Sequence, residues 1–221
     1  MNPSTLVEKL IYEIITRKNG PVSEELSKLG IKYKTNYGVT VPELKSIAEP
    51  YVGNHELALE LYKHEIRECK LLASMIDDPT KVTGEQIDEW AESFTNVEIV
   101  EQVCSNLLWK SDYALSRSIQ WCLSNDEFLQ RAGLVIAARS ASNLKIKNAV
   151  FDPYLGIIEN LTDNQIAKNK NSVEFALRQI AFRNEGFRRK VLEISTNMTE
   201  SDSEHRAWIG SQLLFELSEE V

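Results

Sequence analysis

Apolar residues recur at three- and four-residue steps along almost the whole chain, interrupted at short intervals by caps and turn residues. This pattern restricts the fold to packed helices. Between His64 and Asp77, Ile66, Cys69, Leu72, Ala73 and Ile76 keep the helical step, and Asp78-Pro79 closes the segment. Thr83 then caps a new helix, with Gln86 three residues on completing a capping-box pattern ahead of Ile87 and Trp90. Comparable segments are predicted at 96–108, 112–123, 125–139, 146–158, 172–183, 185–196 and 203–217, and no series of alternating strands accompanies them. Helices of about 10 to 15 residues joined by short polar turns suit antiparallel neighbours, each pair leaving an apolar face for the next to cover. The expected fold class is all-α, an α-solenoid of antiparallel helix pairs. The residues alone give no clean sequence period, which leaves a plain helical bundle as the competing architecture.

With 221 residues, 43% apolar and 26% charged, the chain has the composition of an ordinary globular protein and is read as a single domain over 1–221. Its start places Glu8, Lys9 and Glu13 inside a hydrophobic pattern, so it reads as a first helix and not as a signal peptide. No stretch approaches the roughly 20 apolar residues needed to cross a bilayer. Cys69, Cys104 and Cys122 are odd in number and embedded in apolar patterns, which fits reduced core thiols. His55, His64 and His205 are equally scattered, so no metal site is predicted and no cofactor is called for. The expectation is a monomeric, cytoplasmic protein with no membrane partner.

A net charge of −8 argues at first against nucleic acid, but the total hides a segregation. Residues 1–129 carry 13 Lys and Arg against 21 Asp and Glu, residues 130–190 carry 11 against 5, and residues 191–221 carry 1 against 7. One contiguous third of the chain is therefore basic. Either the cations gather on a functional face, or they are spread over a solvated one.

Four groups of residues carry possible chemistry. Glu101 lies four residues after Val97, with Val100, Cys104 and Leu108 flanking it, and is expected to be half-buried, either as a functional carboxylate or as a rim glutamate paired with a neighbouring cation. Arg131, four residues after Glu127, is either its surface partner or a phosphate ligand. Phe175, Arg178 and Phe182 form a ridge beside the core stripe of Val173, Ala176, Leu177, Ile180 and Ala181. With Lys168, Lys170, Arg183, Arg188, Arg189 and Lys190 around it, the ridge offers planar groups for bases and cations for phosphates; alternatively its rings pack under the next helix pair. Tyr33 and Tyr37, interleaved with Lys32 and Lys34, are either a nucleic-acid loop or a glycine turn leading to a helix start at Pro42. Trp90, Trp109, Trp121 and Trp208 sit among apolar neighbours and are read as core.

The runs YGVTVPELKSIAEPY, HEIRECKLLASMI, FTNVEIVEQ, QRAGLVIAAR and EFALRQIAFRN follow one another in an order that resembles the AlkD-like DNA alkylation repair family, over about residues 30 to 185. The resemblance implies HEAT-like helical repeats with a basic concave face, and double-stranded DNA, alkylated or branched, as partner. Active members excise N3- or N7-alkylated purines, cationic leaving groups that need little acid catalysis and mainly a carboxylate beside the developing sugar cation. In the family pattern a Trp precedes that Asp by four residues; here Val97 and Glu101 stand at those positions. A second family Trp, before an A-L-R step, is matched by Phe175, and the family's arginine on the preceding repeat corresponds to Arg131.

The longer Glu101 side chain moves the carboxylate by roughly an ångström, which can cost about a hundredfold in rate. Val97 offers no stacking wall. Three functions follow from the resemblance and the charge pattern. The first is a DNA glycosylase-like protein with Glu101 and Arg131 as catalytic groups and Phe175 and the cations on DNA. The second is a non-catalytic binder of damaged or branched DNA, and the third a protein-interaction scaffold.

Overall fold

In the computed structural model, which describes residues 3–218, the chain is all-helical. It divides into two compact units, Met1–Tyr113 and Ala114–Val221. Among the described residues there are thirteen α-helices and no strand; the sole β-type pairing noted is an isolated parallel bridge between Thr35 and Ile66. No described helix is long and apolar enough to cross a membrane.

The first unit holds α1 (Pro3–Thr16), α2 (Gly20–Lys28), α3 (Val41–Ala48), α4 (His55–Tyr62), α5 (Arg67–Ile76), α6 (Gly84–Ala91) and α7 (Val97–Asn106). Helix α5 is its centre, packing on α3, α4 and α7, while α1 covers α4. Nine of the ten residues of α5 are buried, charged ones included. Thr83 caps α6 as expected, but Gln86 does not complete the expected box: its carboxamide donates to Asp77 instead. Thr40 and Glu43 close a capping box at α3, and the side chains of Thr83 and Asn96 accept from the backbone N–H groups of Gln86 and Ile99.

The second unit holds α8 (Ala114–Cys122), α9 (Glu127–Ala141), α10 (Asp152–Glu159), α11 (Asp163–Ala181), α12 (Glu185–Thr199) and α13 (Glu204–Ser218). Helices α9, α11 and α13 form one row, α11 touching both neighbours; α8 packs on α9 and α10, and α12 packs on α11 and α13. Two pairs close on a glycine. A Cβ added at Gly133 of α9 would meet the Ser118 carbonyl of α8 at 2.6 Å, and one at Gly210 of α13 would meet the Ser195 carbonyl of α12 at 2.4 Å. The shared core runs from Cys122 through Tyr154, Ile166, Val173 and Leu177 to Val191, Ile209 and Leu213.

Three boundaries differ from expectation. Helix α11 begins at Asp163, well before the predicted 172, because Thr162 and Gln165 form a capping box; it then kinks at Asn169 (φ −117°, ψ 19°). Residues 146–151, predicted helical, hold only a short 3₁₀ turn, and α10 starts at Asp152 with Pro153 in its first turn. The short helices α2 and α4 lie where no helix was predicted.

Candidate nucleic-acid interface

In the first unit, α7 buries Ile99, Val100, Val103 and Cys104. Val97 and Glu101, four residues apart, share the opposite side: Val97 is 37% exposed and Glu101 is exposed, not half-buried as the flanking residues suggested. The stripe turns away one residue before the carboxylate. Cys104 is fully buried, and burial, with the charge of Glu101 adding to it, pushes its thiol pKa well above the usual range. Burial likewise pushes the Cys69 and Cys122 thiols up to about 12, so all three are free, buried and inert.

Tyr33 belongs to a buried ionic network that the sequence reading missed. Arg67, 2% exposed, donates through Nε and Nη2 to both carboxylate oxygens of Glu98 at 2.7 and 2.6 Å, and through Nη1 to the Val39 carbonyl and to Glu68. Glu68 in turn accepts the backbone N–H groups of Tyr37 and Val39, and the Tyr33 hydroxyl donates to Glu98 at 2.9 Å. Burial opposes the charge on Arg67, but Glu98 and Glu68 outweigh it and raise its pKa. The Tyr33 hydroxyl is held protonated by burial first and by Glu98 second. The network therefore ties the 33–40 segment to α5 and α7. Its signal was the charged Arg67-Glu68 pair leading into the apolar run of Leu71, Leu72 and Ala73.

In the second unit the predicted residues separate into two sets. Arg183, Arg188 and Arg189 serve the scaffold or the open surface. The Arg183 guanidinium, 9% exposed, donates to the carbonyls of Ala141, Asn143 and Ile146 and to Asn148, and lies 4.3 Å from the Phe151 ring centre. Burial lowers its pKa. Arg188 donates to the Leu217 carbonyl near the end of α13, and Arg189 lies exposed 3.9 Å from Glu185. Lys190 pairs with Asp152.

The second set lines the exposed side of the α9–α11–α13 row. Arg131 on α9 donates to the Ser172 hydroxyl at 3.1 Å and to the Lys168 carbonyl at 2.9 Å, bracketing the kink at Asn169; the Lys168 ammonium pairs with Glu127 at 3.2 Å. Phe175 is half-buried, with the Arg139 guanidinium 5.3 Å and the Arg178 guanidinium 5.7 Å from its ring centre. Of the predicted ridge, Phe175 and Arg178 are thus brought together, and Phe182 stands 47% exposed as the cap of α11. Arg178 also meets Glu174 at 2.9 Å and Glu216 of α13 at 3.3 Å.

Two members of this face were missed. Arg139 entered the sequence reading only as the end of the 125–139 helix. Trp208 is 38% exposed and not core, with the Lys170 ammonium 4.1 Å from its ring centre; of its apolar neighbours in sequence, Ile209 is the one that turns into the core. Cation and aromatic ring alternate across three helices, an arrangement suited to phosphates and to planar groups.

The chain matches the uncharacterized protein Lin0241 of Listeria innocua at 31% identity over 113 residues, 49% of this chain and 50% of that one. It matches the uncharacterized protein Lmo0209 of Listeria monocytogenes at 31% over 101 residues, 38% and 45% of the two chains. The matched part thus spans half or less of these curated relatives. A solved structure described as a new family of proteins related to the HEAT-like repeat DNA glycosylases with affinity for branched DNA structures superimposes with a TM-score of 0.78, covering 93% of each chain at 19% identity. That likeness gives the fold, HEAT-like repeats. The model of the family described as DNA alkylation repair enzyme matches residues 15–205, and the chain belongs to that family.

Proposed function

We propose that this chain is a DNA-binding protein of the alkylation repair family that acts as a monomer on duplex DNA, alkylated or branched, through the exposed side of α9, α11 and α13. The observation that carries the reading is the half-buried Phe175 ring with the guanidinium groups of Arg139 and Arg178 within 5.3 and 5.7 Å of its centre. A ring flanked by two cations presents an apolar plane and phosphate-binding charge within one contact. Lys168 and Lys170, set around the kink of α11, extend the positive edge. The neighbour's described affinity for branched DNA supports the same class of partner.

Anisotropy titration of a labelled duplex and a labelled junction, between about 50 and 200 mM salt, tests it. Wild type binds with a negative salt slope. Arg139→Ala reduces that slope by about one, and Phe175→Ala weakens binding with the slope unchanged. Absence of binding even at low salt removes the reading and leaves a protein-interaction scaffold.

Base excision is the second reading, favoured by the solvent-accessible carboxylate of Glu101. It expects release of 7-methylguanine or 3-methyladenine from methylated DNA, lost in Glu101→Gln without loss of DNA affinity. A wild type that binds DNA but releases neither base restricts the function to binding.

A further inference from the structure

The outer side of α13 carries two aromatic rings seven residues apart, Trp208 and Phe215, 38% and 64% exposed, while Ile209, Gly210, Leu213 and Leu217 face the core. A large ring left in water forgoes the gain of burial, and the chain spends its other tryptophans differently. Trp90 and Trp121 are 1% and 8% exposed, and Trp109 donates its indole N–H to the Ser105 carbonyl. Trp208 makes no such bond among the described residues and meets Lys170, whose ammonium sits 4.1 Å from the ring centre, closer than the 5.8 Å between Lys110 and Trp109. Lys170 and Arg178 both reach from α11 to α13, at Trp208 and at Glu216, so the pair adjoins the face that holds Arg139, Phe175 and Arg178.

We propose that Trp208 and Lys170 form a stacking platform for an unpaired nucleobase, the indole taking the base and the ammonium the adjoining phosphate. The proposal rests on the DNA-binding reading of this face and adds the strand state that it selects. A ring with a cation on it matches a flat π-surface joined to an anion, the combination every nucleotide offers and a duplex interior hides. The motif repeats one helix away, where two guanidinium groups adjoin the Phe175 ring, and single-strand sites are built from such alternation. Duplex DNA is thus held by its phosphates, and an overhang or junction gains the platform in addition.

The test titrates wild type, Trp208→Ala, Trp208→Phe and Lys170→Gln with a short oligothymidylate and with a blunt duplex of equal length. Binding is followed by anisotropy and by indole fluorescence. Trp208→Ala should weaken oligothymidylate about tenfold and the blunt duplex less than about twofold, since one base stack is lost and no phosphate contact is. In wild type the stacked base should quench indole fluorescence; Trp208→Phe keeps most of the affinity and loses that quench. Lys170→Gln, which leaves the core untouched, weakens oligothymidylate several-fold. Equal losses on both DNAs in Trp208→Ala, or oligothymidylate affinity unchanged in Trp208→Ala and Lys170→Gln, overturns the platform. If wild type binds duplex but not oligothymidylate, the platform falls and the face stands; if it binds neither, both fall.

Discussion

The Arg131 guanidinium donates through Nη2 to the Lys168 carbonyl, one residue before the non-helical backbone of Asn169, and through Nη1 to Ser172 just beyond it. A kink frees carbonyls from the helical ladder, and a partner must take them up. Beside it, the Gln130 carboxamide accepts from Asn169 Nδ2 and donates to the Cys122 and Ser124 carbonyls. The helix pair α9–α11 is thus locked at the point where Lys168 and Lys170 emerge. Arg131→Ala should therefore lower stability by about 1–3 kcal/mol in urea denaturation without DNA. Arg131→Lys should restore little, because one ammonium cannot span both acceptors as the planar fork does. Unchanged stability in both variants, with DNA affinity lost, would return Arg131 to the role of a phosphate ligand.

Much of this fold was legible in the residues. The long helices, their caps and the buried cysteines follow from the three- and four-residue step and from Thr, Asn and Asp at N-caps. Residues 163–171 contain only Ile166 and Ala167 as apolar members, so no stripe announces the first half of α11, although Thr162 and Gln165 did mark its start. The short α2 and α4 complete too few turns to display a period. Trp208 read as core because Ala207 and Ile209 adjoin it, while the helical turn places them on different sides. Counting charges found the basic segment but not its internal partners. Only three-dimensional packing separates Arg183, turned onto carbonyls, from Arg139, turned onto a ring.

Glu216 on α13 sits 3.3 Å from Arg178, a cation of the proposed face. A phosphate approaching Arg178 must displace or tolerate that carboxylate. Glu216→Gln should raise DNA affinity up to about fivefold at low salt, the range of a solvent-exposed ion pair, and the gain should fade as salt rises. Equal affinity of both proteins at low salt would mean that Arg178 takes no part in binding.

The Arg67–Glu98–Glu68 network makes a separate claim on the first unit. Removing one member leaves the others buried with their charge uncompensated, so Arg67→Ala should cost about 3–5 kcal/mol. Glu98→Gln keeps the shape and one acceptor, and should cost less than Arg67→Ala. Tyr33→Phe deletes only the hydroxyl donor to Glu98, and should cost about 1 kcal/mol. Denaturation midpoints of the three variants check this order. A Tyr33→Phe variant as stable as wild type but deficient in DNA binding would move Tyr33 from the network to the interface.

Glu174 gives the chain a pH dependence of known sign. Burial raises its pKa above the ordinary 4.5, Arg178 pulls it back, and Glu216 raises it further, so the environment as a whole disfavours the charged form. A carboxyl whose folded pKa lies above its unfolded value gives its full contribution to stability below the unfolded pKa. That contribution is lost as pH rises through the folded pKa. At pH 7 wild type therefore carries an ionised Glu174 that its surroundings oppose. Glu174→Gln, permanently neutral, should gain stability over wild type between about pH 4 and pH 7. Urea denaturation of both proteins at the two pH values measures the difference directly. A gain that shrinks toward neutral pH would mean that Arg178 outweighs burial and holds Glu174 as a carboxylate.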